Sequence, residues 1–309
     1  MKWTSHHAIL STLLYAQLFD YPLLEQDVWL WCVGPTTLSQ HQIQKLLSHY
    51  PQYKNYYGLE LIKQRVPLRE KRLKFSNRKK ILVSSVLKIL KLIPSIQLIG
   101  ISGGLAMNNA DENDDIDFFF IVRPHTIWIS RIIVLVVLEI LGKRRKFNIS
   151  YEKDLICANM FVSSANLTIP DREKDLYSAH EVLQMIPVFE RNNVYKKFLE
   201  KNEWVQVYLA NAWNHKIDDV RFKIHEAKNP LWLFNISSYV LLILCYLLEL
   251  PTKWIQQWYM KSHQTTEVIS DTVLRFHPVD TREFIKKKYL YLLKKYKVPL
   301  DSPIFKSLQ

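Results

Sequence analysis

The chain is poor in glycine, poor in cysteine and short of acid. Six glycines among 309 residues exclude a loop-dominated or collagen-like architecture. Three cysteines, Cys32, Cys157 and Cys245, stand far apart within apolar stretches. That pattern argues against a disulfide framework or a cysteine metal cluster and for buried thiols in a reducing, cytoplasmic interior. The N-terminus shows no basic segment followed by an apolar run and a small-residue cleavage site, so no signal peptide is expected. No internal repeat and no low-complexity linker interrupts the chain. Only 29 acidic residues face 42 Lys and Arg, a formal net charge of +13. Such an excess suits a protein that meets polyanions: nucleic acid, nucleotides or anionic lipid headgroups. The basic runs 71–80, 143–146 and 286–288 read equally well as solvated helix faces or ends.

What is abundant is apolar and aromatic: 48% hydrophobic residues and 13% aromatics are too many for a disordered chain. The length accommodates two compact domains, or one large domain with an added module. Two long apolar runs need weighing against a membrane. Residues 126–141 contain Arg131 and Glu139 and would extend only about 24 Å as a helix, less than a bilayer core, so they read as a buried helix. Residues 231–248 carry no charge and are just long enough to span, although Asn235, Ser237 and Ser238 weaken them. Lys228 and Lys253 flank both ends and leave no orientation signal. A core or domain-packing helix is the expectation here, with a membrane contact as the alternative.

Along the chain, Ser5–Leu18 is apolar at helical spacing and stops at Phe19-Asp20-Tyr21-Pro22. Leu24–Cys32 reads as a second helix, broken by Gly34-Pro35, and Ser39–Tyr50 as a third with Ser39 as N-cap. Tyr56–Ile62 alternates around Gly58 like a strand or short hairpin. Three helices and a hairpin predict a winged-helix-like module over residues 1–66. The basic stretch 65–80 and the apolar-periodic stretch 81–92 form a helical connector into an α/β core over 67–170, where Ile96–Ser102, Ile116–Val122 and Leu155–Val162 have strand length. Beyond Pro170 the pattern is helical (178–185, 194–213, 254–263 and 281–296), giving a helical C-terminal region over 171–309. The fold class is therefore α+β, a small mixed sheet with flanking helices.

The chemistry-bearing pattern lies in the core. Ser102-Gly103-Gly104 ends a strand in paired glycines, which turn tightly and present bare N–H groups to a phosphate. After a ten-residue spacer, Asp115-Ile116-Asp117 opens an apolar strand. Side chains alternate across a strand, so Asp115 and Asp117 share a face, and two adjacent carboxylates call for a cation between them. Mg²⁺, or Mn²⁺ in its place, suits one or two carboxylates completed by waters and substrate phosphates. The bland reading makes residues 111–115 an acidic turn and Asp117 a strand-edge charge.

Gly-Gly, a spacer of ten, then Asp-hydrophobic-Asp-hydrophobic resembles the DNA polymerase beta superfamily of nucleotidyltransferases, in its minimal form. The stretch from Phe19-Asp20-Tyr21-Pro22 to Cys157-Ala158-Asn159 also resembles bacterial proteins that join a winged helix to such a domain. The resemblance implies a Mg²⁺-dependent transfer of a nucleoside monophosphate from a nucleoside triphosphate to a hydroxyl or similar acceptor. Asp115 and Asp117 would be the catalytic metal ligands and Ser102, Gly103 and Gly104 the nucleotide-binding turn. Where the family usually has Gly-Ser this chain has Gly103-Gly104, with Ser102 one place early. The family's third carboxylate, on a later strand, has Asp154 and Asn159 as candidates here, on opposite faces. Asn159 in that position could accept a weak metal contact but not act as a base. Arg123 or Arg131 would offset the triphosphate's charge, and the acceptor, nucleic acid or protein among others, is open.

Weaker candidates are His180-Glu181, able to reach the cleft but more readily an exposed or capping pair, and His277-Pro278 with Asp280, more a helix-start turn than a metal site. In a winged helix, Gln40, His41, Gln44 and Lys45 would face DNA, which is thin for phosphate contact. The rival reading is a catalytically weak nucleotide-sensing or nucleic-acid-binding protein built on the same fold.

Overall fold

A computed structural model of the chain describes residues 3–146, 152–223, 233–260, 268–275, 281–302 and 304–305. In order the elements are α1 (Ser5–Gln17), β1 (Leu23–Leu24), α2 (Glu25–Leu30), α3 (Gln40–Leu47), β2 (Gln52–Tyr53), β3 (Tyr56–Tyr57) and α4 (Ile62–Leu90). Then come β4 (Ile96–Ile101), α5 (Gly103–Ala106), β5 (Ile116–Val122), α6 (Ile127–Ile140) and β6 (Ile156–Ser163). The remainder is α7 (Leu176–Gln184), β7 (Ile186–Glu190), α8 (Val194–Lys201), α9 (Ala210–Lys223), α10 (Leu233–Met260), β8 (Val268–Ile269), β9 (Val273–Arg275) and α11 (Thr281–Lys295). The mixture of helices and two open sheets is compatible with the α+β class.

At the N-terminus, α1 to α3 bury Ala8, Ile9, Leu13, Val28, Ile43 and Leu47 in one cluster. Ser39 caps α3, its side chain accepting from the Gln42 N–H. A three-stranded sheet of order β1-β3-β2 stands beside them. The larger sheet has order β7-β4-β5-β6-β9-β8. It is mixed, because β5 and β6 run parallel while its other neighbours are antiparallel. It is wider than the three strands expected and draws β7, β8 and β9 from beyond residue 170. Alternation along the strands separates two cores. Leu98, Phe119, Ile121 and Val162 pack under Ala179, Val182, Phe198 and Leu199 of α7 and α8. Ile99, Phe118, Phe120 and Phe161 pack under Val83, Val86 and Leu90 of α4 and Trp128, Val134 and Leu138 of α6.

Two helices differ from expectation. The connector is helical as expected, one helix, α4, that continues through Pro67 at the loss of one backbone hydrogen bond. The expected helix over 194–213 is broken at Asn202, whose buried amide donates to the Leu167 and Phe198 carbonyls and accepts from the Ile169 N–H. The apolar run and the segment after it are one helix, α10, passing through Pro251. Residues 231 and 232 lie outside those described. Over 239–250 the helix is largely exposed, Tyr239, Leu241, Ile243 and Leu247 among it, so the expectation of a core helix does not hold there.

Candidate functional site

The site stands where β4 ends and β5 and β6 begin, at one end of the central strands of the larger sheet. β4 delivers the chain into Ser102, whose N–H donates to the Asp117 carbonyl at 3.1 Å. The chain then turns through Gly103, in the left-handed region at φ +63°. A Cβ at Gly103 would lie 2.8 Å from Oδ2 of Asp117, whereas one at Gly104 would meet nothing closer than 3.6 Å. Gly103 is thus required for a reason the sequence did not disclose: it admits the Asp117 carboxylate against the bare backbone. Gly104 carries no such demand.

Asp115 and Asp117 share a face, as the two-residue period predicts, and the third member of their group is Cys157. The carboxylate oxygens and the Cys157 sulfur all lie within 4.8 Å of one another. Cys157 is brought there by the parallel register, which pairs it with Asp117 across β5 and β6. The register shifts immediately afterwards, between Asp117 and Phe119, so the period counted from the sequence does not carry through to Asn159. The Asn159 side chain lies outside the described residues. Asp154, the other candidate for the third position, is held elsewhere: its carboxylate accepts from Lys79 at 2.9 Å. The expectation that all three thiols are plain core residues holds for Cys32 and Cys245, which are buried, and fails for half-buried Cys157.

A guanidinium sits on this group. Arg145 donates through Nη1 to Asp115 Oδ2 at 2.8 Å and to the Cys157 sulfur at 3.5 Å, and through Nη2 to Glu152 at 2.7 Å. Its backbone is fixed beside the start of β6, the Arg145 N–H donating to the Ile156 carbonyl and the Ile156 N–H to that of Lys143. Burial pulls the Arg145 guanidinium down, yet Glu152, Asp115 and Cys157 together hold it above its ordinary value. Burial pushes the Asp115 carboxyl above the usual carboxylate range, against the attraction of Arg145 and with Glu152 adding to the rise. The Cys157 thiol is pushed up to about 12 by burial and by the two aspartates, Arg145 only partly opposing them. Asp115 and Asp117 set two carboxylates side by side, an arrangement that favours a cation between them. Two carboxylates suit a hard divalent ion such as Mg²⁺; the thiol adds a softer donor.

The other acids of the 111–115 turn serve to shape it. Asp114 accepts from the Asp111 N–H at 2.7 Å, Glu112 pairs with Lys153 at 2.7 Å and Asp111 lies 3.5 Å from Arg72. Beneath the turn α4 presents Lys79, its side chain 2% exposed. It donates to the carbonyls of Glu112 and Asp114 as well as to Asp154. One turn earlier, the Ser76 hydroxyl accepts from the Ala110 N–H. The Tyr21 hydroxyl donates to the Met107 carbonyl at 2.7 Å, tying the Phe19-Asp20-Tyr21-Pro22 turn to the glycine turn.

Arg123 and Arg131 do not reach the group. Arg123 follows the far end of β5 and donates to the Pro94 carbonyl, and Arg131 on α6 donates to Gln256 at 2.5 Å. Arg145, in the basic run 143–146, is the cation that contacts Asp115 and Cys157 instead. His180 is a core residue, stacked on Tyr15 at 4.1 Å with Nδ1 2.9 Å from the Leu176 carbonyl. His277, Pro278 and Asp280 lie outside the described residues. A signal for Lys79 was available: Ser76, Lys79, Val83, Val86 and Leu90 form one buried stripe of α4, so its amine had to find acceptors inside. Nothing in the sequence singled out Arg145. Comparison with protein-family models, with curated proteins and with solved structures gives no match.

Proposed function

We propose that the chain is a Mg²⁺-dependent nucleotidyltransferase, moving a nucleoside monophosphate from a nucleoside triphosphate to a hydroxyl or similar acceptor. The acceptor oxygen would bond to the α-phosphorus as the bond to the bridging oxygen breaks and pyrophosphate leaves. The observation that carries the reading is the Asp115–Asp117 pair, with the Asp117 carboxylate against the bare backbone of Gly103. A strand-edge solubility charge needs neither the glycine nor the second acid.

Asp115 and Asp117 would hold the ion, Mg²⁺ or Mn²⁺, which when bound neutralises charge on the transferring phosphoryl group. The main chain at Gly104, where a Cβ would meet nothing closer than 3.6 Å, would receive the phosphates, with Ser102 and Gly103 beside it. Arg145 would exchange Asp115 for a phosphate oxygen, a planar guanidinium being suited to either partner. In this reading residues 67–170 are the nucleotidyltransferase-like core, 1–66 a winged-helix-like module and 171–309 a helical region, working in the cytoplasm on nucleic acid or protein as acceptor. The exposed Gln40, His41, Gln44 and Lys45 of α3 offer one cation, so a scaffold or protein-contact role for the module stands beside DNA binding.

A second reading, a catalytically weak nucleotide sensor or nucleic-acid binder, is favoured by Cys157. A thiol pushed up to about 12 is protonated at neutral pH and does not accept the acceptor's proton as a carboxylate would. Calorimetric titration of nucleoside triphosphates with and without Mg²⁺, on the native chain and on Asp115→Ala/Asp117→Ala, tests both readings when followed by radiolabel transfer to RNA, DNA and protein. Mg²⁺-dependent binding lost in the double variant, with label on an acceptor, is the result expected of the enzyme. Binding without transfer selects the sensor, and no binding by either protein refutes both nucleotide readings.

A further inference from the structure

We infer that α10 is a lipid-embedded helix that seats the protein on an anionic membrane surface, independently of what the aspartate site does. The polarity of α10 is inverted. Among its described side chains the buried ones are Cys245, Glu249, Thr252 and Gln256, spaced by four, three and four, and they form one stripe turned toward α6. Glu249 accepts from the backbone N–H groups of Trp128 and Ile129 at 3.1 and 3.0 Å, capping the start of α6. Gln256 donates to the Trp128 carbonyl and accepts from Arg131. The helix is therefore fixed to the protein by its polar side, and its apolar side faces out.

The outward side is extensive. Tyr239, Leu241, Leu247, Trp254 and Trp258 are exposed, the last two by 74% and 80%. At 100° per residue, the exposed large apolar side chains between Tyr239 and Tyr259 sweep about 220° of the helix circumference. Glu249, the one acid in that stretch, is buried, and Lys253 leans away to pair with Asp271 at 2.5 Å. Apolar patches on soluble monomers rarely exceed a few hundred Å², and more than ten side chains of this size exceed that several-fold.

The occupant follows from arc, charge and chemistry. A second protein surface covers an apolar stripe somewhat over 100° wide and is ringed by polar groups, whereas lipid conforms to the whole arc. Tyr239, Tyr246, Trp254, Trp258 and Tyr259, exposed along the length of the helix, are the side chains that favour the headgroup boundary. A net charge of +13, with no acid on the exposed arc, complements anionic headgroups. Crossing the bilayer is disfavoured by the attachment itself: α6 packs on the central sheet, so a spanning α10 would draw the core into hydrocarbon. The helix lies along one leaflet, embedded to about 5–10 Å.

Co-flotation of the full chain with vesicles tests this, using phosphatidylcholine alone and phosphatidylcholine mixed with phosphatidylglycerol. The chain is expected to float with the mixed vesicles, binding them about fivefold more tightly for each basic side chain that reaches the headgroups. Brominated phosphatidylcholine should quench its tryptophan emission, and Trp254→Phe/Trp258→Phe should lose most of that quenching while still floating. Leu244→Glu and Leu247→Glu, both at exposed positions, should each lower partitioning by at least about tenfold, with the far-ultraviolet circular dichroism unchanged. A soluble monomer that ignores both vesicles overturns the inference. So does a dimer that ignores vesicles and dissociates in the two glutamate variants, which would assign the face to a second copy of the chain.

Discussion

Replacing Gly103 by alanine separates two roles that one glycine combines. At φ +63° an alanine costs about 1–2 kcal/mol of backbone strain. Its Cβ would also stand 2.8 Å from Asp117 Oδ2, and relieving that overlap in a packed corner costs roughly another 1–2 kcal/mol. The expected loss is about 2–4 kcal/mol, read from urea unfolding at neutral pH. The second term belongs to a pair of residues, so it can be isolated. In Gly103→Ala/Asp117→Ala the oxygen is gone and only the strain remains, so the double variant should be more stable than the two single losses sum to, by about 1–2 kcal/mol. Gly104→Ala, whose Cβ would meet nothing closer than 3.6 Å, should change stability little. The displaced carboxylate should weaken Mn²⁺ binding in Gly103→Ala even where the protein is fully folded. Additive losses in the cycle, or unaltered ion binding in Gly103→Ala, would refute the claim that this glycine exists to admit Asp117.

Lys79→Met should lower stability by about 3–5 kcal/mol, because it leaves the Asp154 carboxylate and two carbonyls without their buried partner; Asp154→Asn in the same chain should recover part of the loss, and a native-like unfolding midpoint in Lys79→Met would contradict the pairing. Glu181 and His180 give opposite slopes of stability against pH. Burial raises the Glu181 carboxyl from 4.5 to about 7, so the folded chain keeps a proton that the unfolded chain releases, and stability falls as pH rises across that window. Burial lowers the His180 imidazole from 6.5 to about 4, so stability falls as pH drops through that window. Glu181→Gln should therefore leave a stability that rises between about pH 4 and 6.5 by roughly 3 kcal/mol, the share of buried His180 alone, measured by unfolding at stepped pH; an unchanged profile would mean that Glu181 is solvated.

How much could be read beforehand follows from which forces act locally. β4, β5 and β6 were legible because strands buried on both faces read as near-continuous apolar runs, broken here only by single polar residues such as Gln97 and Asp117. Their bounds fell within a residue of expectation. β7 was not, since Ile186-Pro187-Val188-Phe189-Glu190 has a proline that only an edge strand accommodates, and its pairing with β4 is decided by residues nearly ninety positions away. β8 and β9, two and three residues long, carry too little periodicity to register. The two aspartates were legible for the same local reason as the strands, a period of two on one element. Cys157 and Arg145 were not, because a parallel register and a loop beside β6 bring them in. In α10, hydrophobicity shows that the helix leaves water but not into what. The polar residues hold that information: Glu249, Thr252 and Gln256 recur at three and four, so they share one side, and a buried polar side must meet hydrogen-bonding partners. The protein therefore lies on the polar side of this helix, and the apolar side is left for something that offers no hydrogen bonds.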